Sequence, residues 1–593
     1  MKRQEDHGRA IRKQLLKTSG SPYHHPIRAM RHESNSCRSA DGGPLEDPTI
    51  GHAAARPSGQ TGCSTYFIIN AGSTTLSRQY AIKLSFPVIC FIATAMLFLS
   101  QHVFAAERSI TPSLTLKETY SDNIRLAPPG NEASDWVTEI DPGISLTEAG
   151  SNLKFSAVYQ MQNIFYAKER DSSRTNHYLS AGAKAKLVDN LLFVDGNANV
   201  NQQNIFLFGP QPANTNITGN RTTVFTYSIS PYLRHDFDAL ASSELRYIHD
   251  EVRTRENALS DSIGDSALFN VTSGPAFSGF GWGLHYSKQA IDYSLYPTAK
   301  TEISSGDLRF PITPKFRLIA TKGYEKYGYS TGQNSIGQNY AGPFWTGGFS
   351  WTPSARTSIE YSTGYRFFGK TYALDASLHS RNTVWSVNYS EDITTNRSQF
   401  LIPATINTTN VLDQLFTPSI PDPVLRKQFI DNFILNNGLP PSLAENINYF
   451  SNGYFLQRRL QASVALNSAK STLILSAYDS SRKSLTSLTT NSILFGTSNL
   501  VSNDNTEDTG GNALWIWRLS PRTNINANTS YIITHAISTN ITQKNWLTRL
   551  AMTRQFSPKL DGSVELRRNQ SHSDQIGGRY LEHAIIASLL MTF

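Results

Sequence analysis

His249 and Asp250 are the closest this sequence comes to an acid–base pair. An imidazole beside a carboxylate can move a proton near neutral pH, provided both groups reach the same substrate. Adjacent residues of a strand point to opposite faces, so solvation at a rim is the expected role rather than joint action. Other chemical signatures do not occur. A phosphate-cradling loop needs glycines that open a helix, and neither G-x-x-x-x-G-K-[ST] nor a strand-linked G-x-G-x-x-G is present. G-x-S-x-G and H-E-x-x-H are absent too. Cys37, Cys63 and Cys90 all precede residue 106, so the remainder can form neither a disulfide nor a thiolate metal site. No catalytic residue, metal ligand or cofactor is expected.

What the chain does carry is charge on a face that alternation turns inward: Asp195, Arg234, Asp236, Arg549, Glu565 and Arg567. Such residues pair across strands and support a wide hydrated interior, or line a pore that handles a polar or anionic glycan by many weak contacts. Phe206, Tyr293, Tyr327, Tyr329, Phe344, Trp345, Phe367 and Phe368 lie near strand ends. Interfacial girdles are the expected role for most of them, with sugar stacking the sharper alternative for a subset.

The elements that would position these residues are strands. Of 593 residues, 17% are charged and 39% hydrophobic, both below globular averages, while Tyr, Phe and Trp number 26, 30 and 8. The net charge of +8 is mostly local, because residues 1–105 hold 12 basic and 6 acidic side chains. A nucleic-acid partner is not implied. Residues 1–77 show no sustained apolar period and are read as a leader outside the fold, disordered or belonging to a mis-assigned start. Residues 78–105 read as a secretory signal peptide: Arg78 and Lys83, an apolar run over 84–99, then Val103 and Ala105 before a cut that leaves Ala106 first. Sixteen apolar residues are short for a bilayer span of ~20.

From about 110 onward the pattern alternates. Phe225, Tyr227, Ile229 and Leu233 share one parity against Thr226, Ser228, Ser230, Arg234 and Asp236. Ile525, Ala527, Tyr531 and Ile533 stand likewise against Asn524, Asn526, Asn528 and Ser530. Ten short turns, at 148–152, 188–191, 237–241, 277–281, 312–316, 352–357, 378–383, 467–471, 519–523 and 557–561, alternate with longer polar connections. Two ends that differ so regularly face two environments, as in outer-membrane barrels. The fold class is therefore all-β: a transmembrane antiparallel β-barrel over 106–593, of about 18–22 strands by this spacing, with 22 the count from register. The closing segment alternates Leu581, Ile585, Ala587, Leu589 and Met591, with His583 interrupting, and ends on Phe593.

One insertion, 395–453, lacks alternation. Asp422 as N-cap, Pro423 at the first helical position and Gly438 past the end predict a helix over 423–437 with an apolar stripe of Leu425, Phe429 and Phe433. Turn parity puts the insertion on the extracellular side, where a partial plug or gate of the mouth is the expected role.

The segment LFTPSIPDPVLRKQFIDNFILNNGLP, with the opening SITPSLTLKETYSDNIRLAP, resembles outer-membrane proteins associated with the PEP-CTERM/exosortase system, over roughly 110–593. That resemblance implies a Gram-negative envelope role connected with exopolysaccharide export or surface-protein sorting, and supplies no catalytic residues. The expected function is a non-enzymatic passage or docking site for polysaccharide, in the outer membrane. Its partners would be outer-membrane lipid, the barrel insertion machinery that reads Phe593, and exopolysaccharide or its secretion machinery. The alternatives are an assembly barrel without conductance and an outer-membrane hydrolase, the latter requiring a serine or carboxylate that converges with His249. A TonB-dependent transporter also has 22 strands, but needs a plug domain before the barrel, and strands here begin directly after the signal segment.

Overall fold

Period-two alternation leaves each strand with one apolar and one polar side, and a sheet of such strands removes its open edges by closing on itself. The computed structural model describes residues 107–205, 208–255, 261–294, 298–329, 338–395, 397, 426, 454–485, 505–574 and 578–593. The signal segment, Phe206 and, apart from Arg426, the predicted helix with Asp422, Pro423, Leu425, Phe429, Phe433 and Gly438 lie outside the described residues.

Among the described residues, twenty-two strands follow in order. The first eight are β1 (Glu107–Ser121), β2 (Asp135–Ala149), β3 (Leu153–Tyr166), β4 (Arg174–Val188), β5 (Leu192–Gln203), β6 (Thr222–Phe237), β7 (Ala241–Thr254) and β8 (Ser262–Ser273). Then come β9 (Gly281–Tyr293), β10 (Ala299–Thr313), β11 (Phe316–Tyr329), β12 (Gln338–Ser354), β13 (Thr357–Arg366), β14 (Gly369–His379) and β15 (Thr383–Thr394). The rest are β16 (Phe455–Asn467), β17 (Ser471–Ser484), β18 (Asn505–Ser520), β19 (Thr523–Ala536), β20 (Ile541–Ser557), β21 (Leu560–Ser573) and β22 (Tyr580–Thr592). Each pairs antiparallel with the next, and Ser113–Ser121 of β1 pairs with Thr592–Ala584 of β22, which closes the ring. The even count expected from the turns is the observed count.

Every short turn expected from the sequence joins an even strand to the following odd one, so these turns share one end of the barrel, with Phe593, whose amide donates to Pro112 O at 3.0 Å. Asn190 and Asp238 hold positive φ (57° and 46°) in two of these turns, a conformation short polar side chains tolerate. At the opposite end the β13–β14 hairpin is abrupt: Phe367 and Phe368 make the whole connection before Gly369 at φ 118°. β13 has 10 residues against 17 in β12. Its pairing with β12 runs out at Trp345, and the β14–β15 pairing runs out at Tyr389, so the wall is notched there.

Burial follows parity. In β2, Asp135, Val137, Glu139 and Asp141 are buried while Trp136 and Ile140 are exposed. In β19, Asn526, Asn528, Ser530 and Thr534 are buried while Tyr531 faces out. The polar face is the inner one, inverting the arrangement of a water-soluble sheet.

Candidate gate at the outer mouth

Two charged stretches of the inner wall hold the six charges expected there. On β1 and β2, Lys117 Nζ lies 2.9 Å from Asp141 and 3.7 Å from Glu139. Next to them Arg567 on β21 donates to Glu582 on β22 at 3.1 Å, and Arg549 on β20 lies 3.9 Å from Glu565. Across the barrel, Arg246 on β7 bridges Asp195 (3.0 Å) and Glu244 (2.8 Å), with its guanidinium 3.7 Å from the centre of the Tyr232 ring. Arg234 and Asp236, 3.9 Å apart, stand near the short-turn end and are exposed. Five strands, β22 and β1–β4, separate Arg549, Glu565 and Arg567 on β20–β21 from Asp195, Arg234 and Asp236 on β5–β6, so the six charges expected to line the interior form two groups rather than one.

A barrel this wide leaves a large interior unless something enters it. Among the described residues, two elements do so at the long-connection end. The first is the β5–β6 connection. Gly209 O accepts from Gln543 Nε2 (3.2 Å), Gln211 O from Asn569 Nδ2 (2.9 Å), and the Gln211 amide donates to the Tyr580 hydroxyl (3.1 Å). Asn216 then donates to Glu582 at 2.7 Å, and the Tyr166 hydroxyl donates to Thr215 O at 2.7 Å. Glu582 is fully buried and collects three donors on one oxygen, from Ser121, Asn216 and Arg567. Ile217 packs on Ile124, Val137, Ile164 and Tyr166 beneath. A connection that starts on β5 is thereby clamped to β20–β22 and β1–β3.

The second element begins the insertion after β15. Arg397 Nε donates to Ser262 Oγ at 2.8 Å and Nη2 to Asp250 O at 2.9 Å, and the guanidinium pairs with the Asp250 carboxylate. Both side chains are buried, 3% and 5% exposed. Gly264 makes room: a Cβ there would stand 2.6–2.9 Å from three guanidinium atoms. The insertion's first residues thus reach from β15 to the β7–β8 wall. Tyr454, directly before β16, reaches the β9–β11 wall instead: it packs on Ile291, Ala299 and Tyr327, and its hydroxyl lies 2.9 Å from Thr301 Oγ1. Burial pushes the Tyr454 phenol up to about 12, so it stays protonated.

Outside, the wall is greasy and belted. Trp136, Phe165, Trp345, Tyr365 and Trp546 face out towards the long-connection end, and Phe237, Trp351, Trp385 and Phe556 towards the short-turn end. Between the belts the outward side chains are apolar, among them Ile229, Leu245, Leu308, Leu550 and Ile585. A closed wall apolar outside, polar inside and ringed twice by aromatics is built for a bilayer. The protein is an outer-membrane β-barrel. Short turns face the periplasm and long connections the exterior. No protein-family model matches the barrel, and no curated protein does. Among solved structures it is similar to the FrpB iron transporter from Neisseria meningitidis, F5-1 variant (9% identity, 82% of each chain, TM-score 0.45). It is also similar to the siderophore receptor PirA from Pseudomonas aeruginosa (10% identity, 82% of this chain and 80% of that one, TM-score 0.39). A third is the ferric-catecholate import receptor Fiu from E. coli K12, open form (8% identity, 81% of each chain, TM-score 0.43).

His249 and Asp250 do part company across the barrel wall. Asp250 faces in to Arg397, while His249 faces out, with Nδ1 2.8 Å from Asp265 Oδ1. A carboxylate therefore converges with His249, yet the same oxygen accepts the Tyr247 hydroxyl at 2.5 Å, and among the described residues no serine joins them. The described residues also hold no cluster of three metal-ligating groups. His583, which interrupts the apolar face of the last strand, sits at the outer rim with Nδ1 2.9 Å from Asp122.

The aromatic residues divide. Trp345 lies in the outer belt, whereas Tyr293, Tyr327 and Phe367 join the cluster around Tyr454. Phe344 shares the inward parity of Gly342, and Phe368 lies under Arg366 at 4.9 Å. In the wall notch Arg366 donates to Glu325 Oε2 (2.6 Å), to the Tyr327 hydroxyl (3.2 Å) and to Glu391 O of β15 (3.2 Å), which β14 does not reach. Sequence reasoning missed Lys117, Glu139, Asp141, Glu325, Arg366 and Glu582. Their strand parity was available; the folding inward of Asn216 and Arg397 had no periodic signal.

Proposed function

We propose that this barrel is a non-enzymatic gated passage through the outer membrane for a hydrophilic polymer. The polymer class, exopolysaccharide, comes from the resemblance to PEP-CTERM/exosortase-associated outer-membrane proteins. One observation carries the passage reading: a largely polar inner wall is crossed at its outer mouth by elements held through scattered contacts rather than through the ladder. Backbone pairing keeps the wall shut, while the β5–β6 connection and the start of the insertion can let go without breaking it. Hydroxyl and amide groups such as Ser463, Ser476, Asn512 and Ser530, in register on β16–β19, offer a polymer exchangeable hydrogen bonds.

A second reading is favoured by the Arg397–Asp250 pair itself, since a charged pair that bridges the interior also suits a barrel that organises secretion machinery without conducting. Planar-bilayer recording decides between them. The passage predicts low, fluctuating conductance for the wild type, steady higher conductance for Arg397→Ala, and blockade of that current by exopolysaccharide. Silence from both variants in folded, inserted protein would leave the organising barrel.

A further inference from the structure

The outward face of β9–β11 carries a feature the passage does not use. Lys288 on β9 and Lys326 on β11 lie directly opposite Glu302 of β10, and Lys300 stands two residues beyond Glu302 towards the exterior. All three lysines are exposed. The row beneath them on the membrane side is Tyr286, Ser304 and Tyr324, also in register. Glu302 accepts the Tyr286 hydroxyl at 2.9 Å. Lys322, one further row down opposite Trp345, is exposed on the same face.

Height follows from strand geometry. Two residues of strand rise ~6–7 Å, so the ammonium groups stand just above the tyrosine row, where headgroup phosphates lie. Lysines at such a level bury their stems along apolar wall and present the charge upward, and Lys322 can reach the same level from below. Several charges elsewhere on the outer wall cancel in pairs: Arg253 with Glu251, His249 with Asp265 at 2.8 Å, and Arg458 with Glu391 at 3.5 Å. On β9–β11 four lysines meet Glu302 and Asp292, and Asp292 already accepts the Thr298 hydroxyl at 2.6 Å.

We infer that this face is a binding site for a phosphorylated glycolipid of the outer leaflet. Lys288, Lys300 and Lys326 pair with its phosphates, Tyr286 and Tyr324 pack at its sugar–acyl boundary, and Lys322 supports them from below. The site stands on wall position alone and holds whether or not the barrel conducts.

The test is retention of lipid A by the full barrel in phosphatidylethanolamine nanodiscs, read by native mass spectrometry. Lys288→Gln/Lys300→Gln/Lys326→Gln is expected to lower retention about tenfold or more, given roughly fivefold per surface lysine. The matching triple Arg variant should retain it. Dephosphorylated lipid A should bind the wild type as weakly as the Gln variant. Unchanged retention in the Gln variant, equal binding of the dephosphorylated lipid, or equal binding of phosphatidylglycerol would each overturn the proposal. Heat-modifiable gel mobility certifies that every variant is a closed barrel, so a lost signal reports the site and not the fold.

Discussion

Arg397 and Asp250 form a buried ion pair between the start of the insertion and the far wall, although β8 to β14 lie between their strands in the ring. Removing one partner strands the other charge where water does not reach. Arg397→Ala should destabilise by about 3–5 kcal/mol, while Arg397→Met/Asp250→Leu should return most of that loss. Urea unfolding in lipid vesicles measures both. Equal losses in the single and double variants would mean the pair contributes no coupling.

Gly264 offers a gentler displacement of the same guanidinium. Gly264→Ala places a methyl group 2.6–2.9 Å from it, and the far end of an arginine can shift at little cost. Conductance should rise as in Arg397→Ala, with stability changed by less than about 1 kcal/mol. A variant that keeps the wild-type current would show that the guanidinium position does not control the mouth.

The β5–β6 connection hangs on single bonds whose loss can be graded. Tyr166→Phe deletes the donor to Thr215 O and should cost about 1 kcal/mol. Glu582→Ala removes the acceptor of three donors, leaves Arg567 without its partner, and should cost more, about 3–5 kcal/mol. The passage predicts that channel flicker increases in the same order. Flicker that ignores both changes would assign the gate to the insertion alone.

Acid should loosen one outer contact selectively. Arg125 on the β1–β2 connection donates to Glu169 on the β3–β4 connection at 3.0 and 2.5 Å, and this hydrogen bonding holds the Glu169 carboxyl below its ordinary range. A depressed carboxylate contributes its full contact above the ordinary value and loses it as pH falls through the depressed one. The protection of amides in residues 122–134, taken relative to intrinsic exchange at each pH, should therefore stay flat from neutral pH down to the ordinary carboxylate range, then fall below it. Arg125→Ala should remove that step.

The barrel was legible because its signal repeats: alternation names the two faces, and alternating turn length names the two ends. Wall residues were legible as far as parity was followed, which is why Asp195, Arg549, Glu565 and Arg567 could be placed inside. Parity also separates Tyr327 from Tyr324, since the former shares the inward side of Glu325, and grouping Tyr327 with the girdle overlooked that. Asn216 and Arg397 belong to connections, where direction depends on which distant wall offers a partner. Glu582 and Asp250 offer one, but nothing local to Asn216 or Arg397 says so.

The short β13–β14 hairpin gives the outer rim a sill. Its flanks β12 and β15 continue past it, and Arg366 rather than further ladder ties β15 to β11 there. On the passage reading, a polymer drawn up through the interior would meet a low stretch of wall at that point and leave sideways over Phe367 and Phe368. A strand delivered at that angle would be laid along the cell surface instead of being cast outward, as a sheath rather than a free secretion requires.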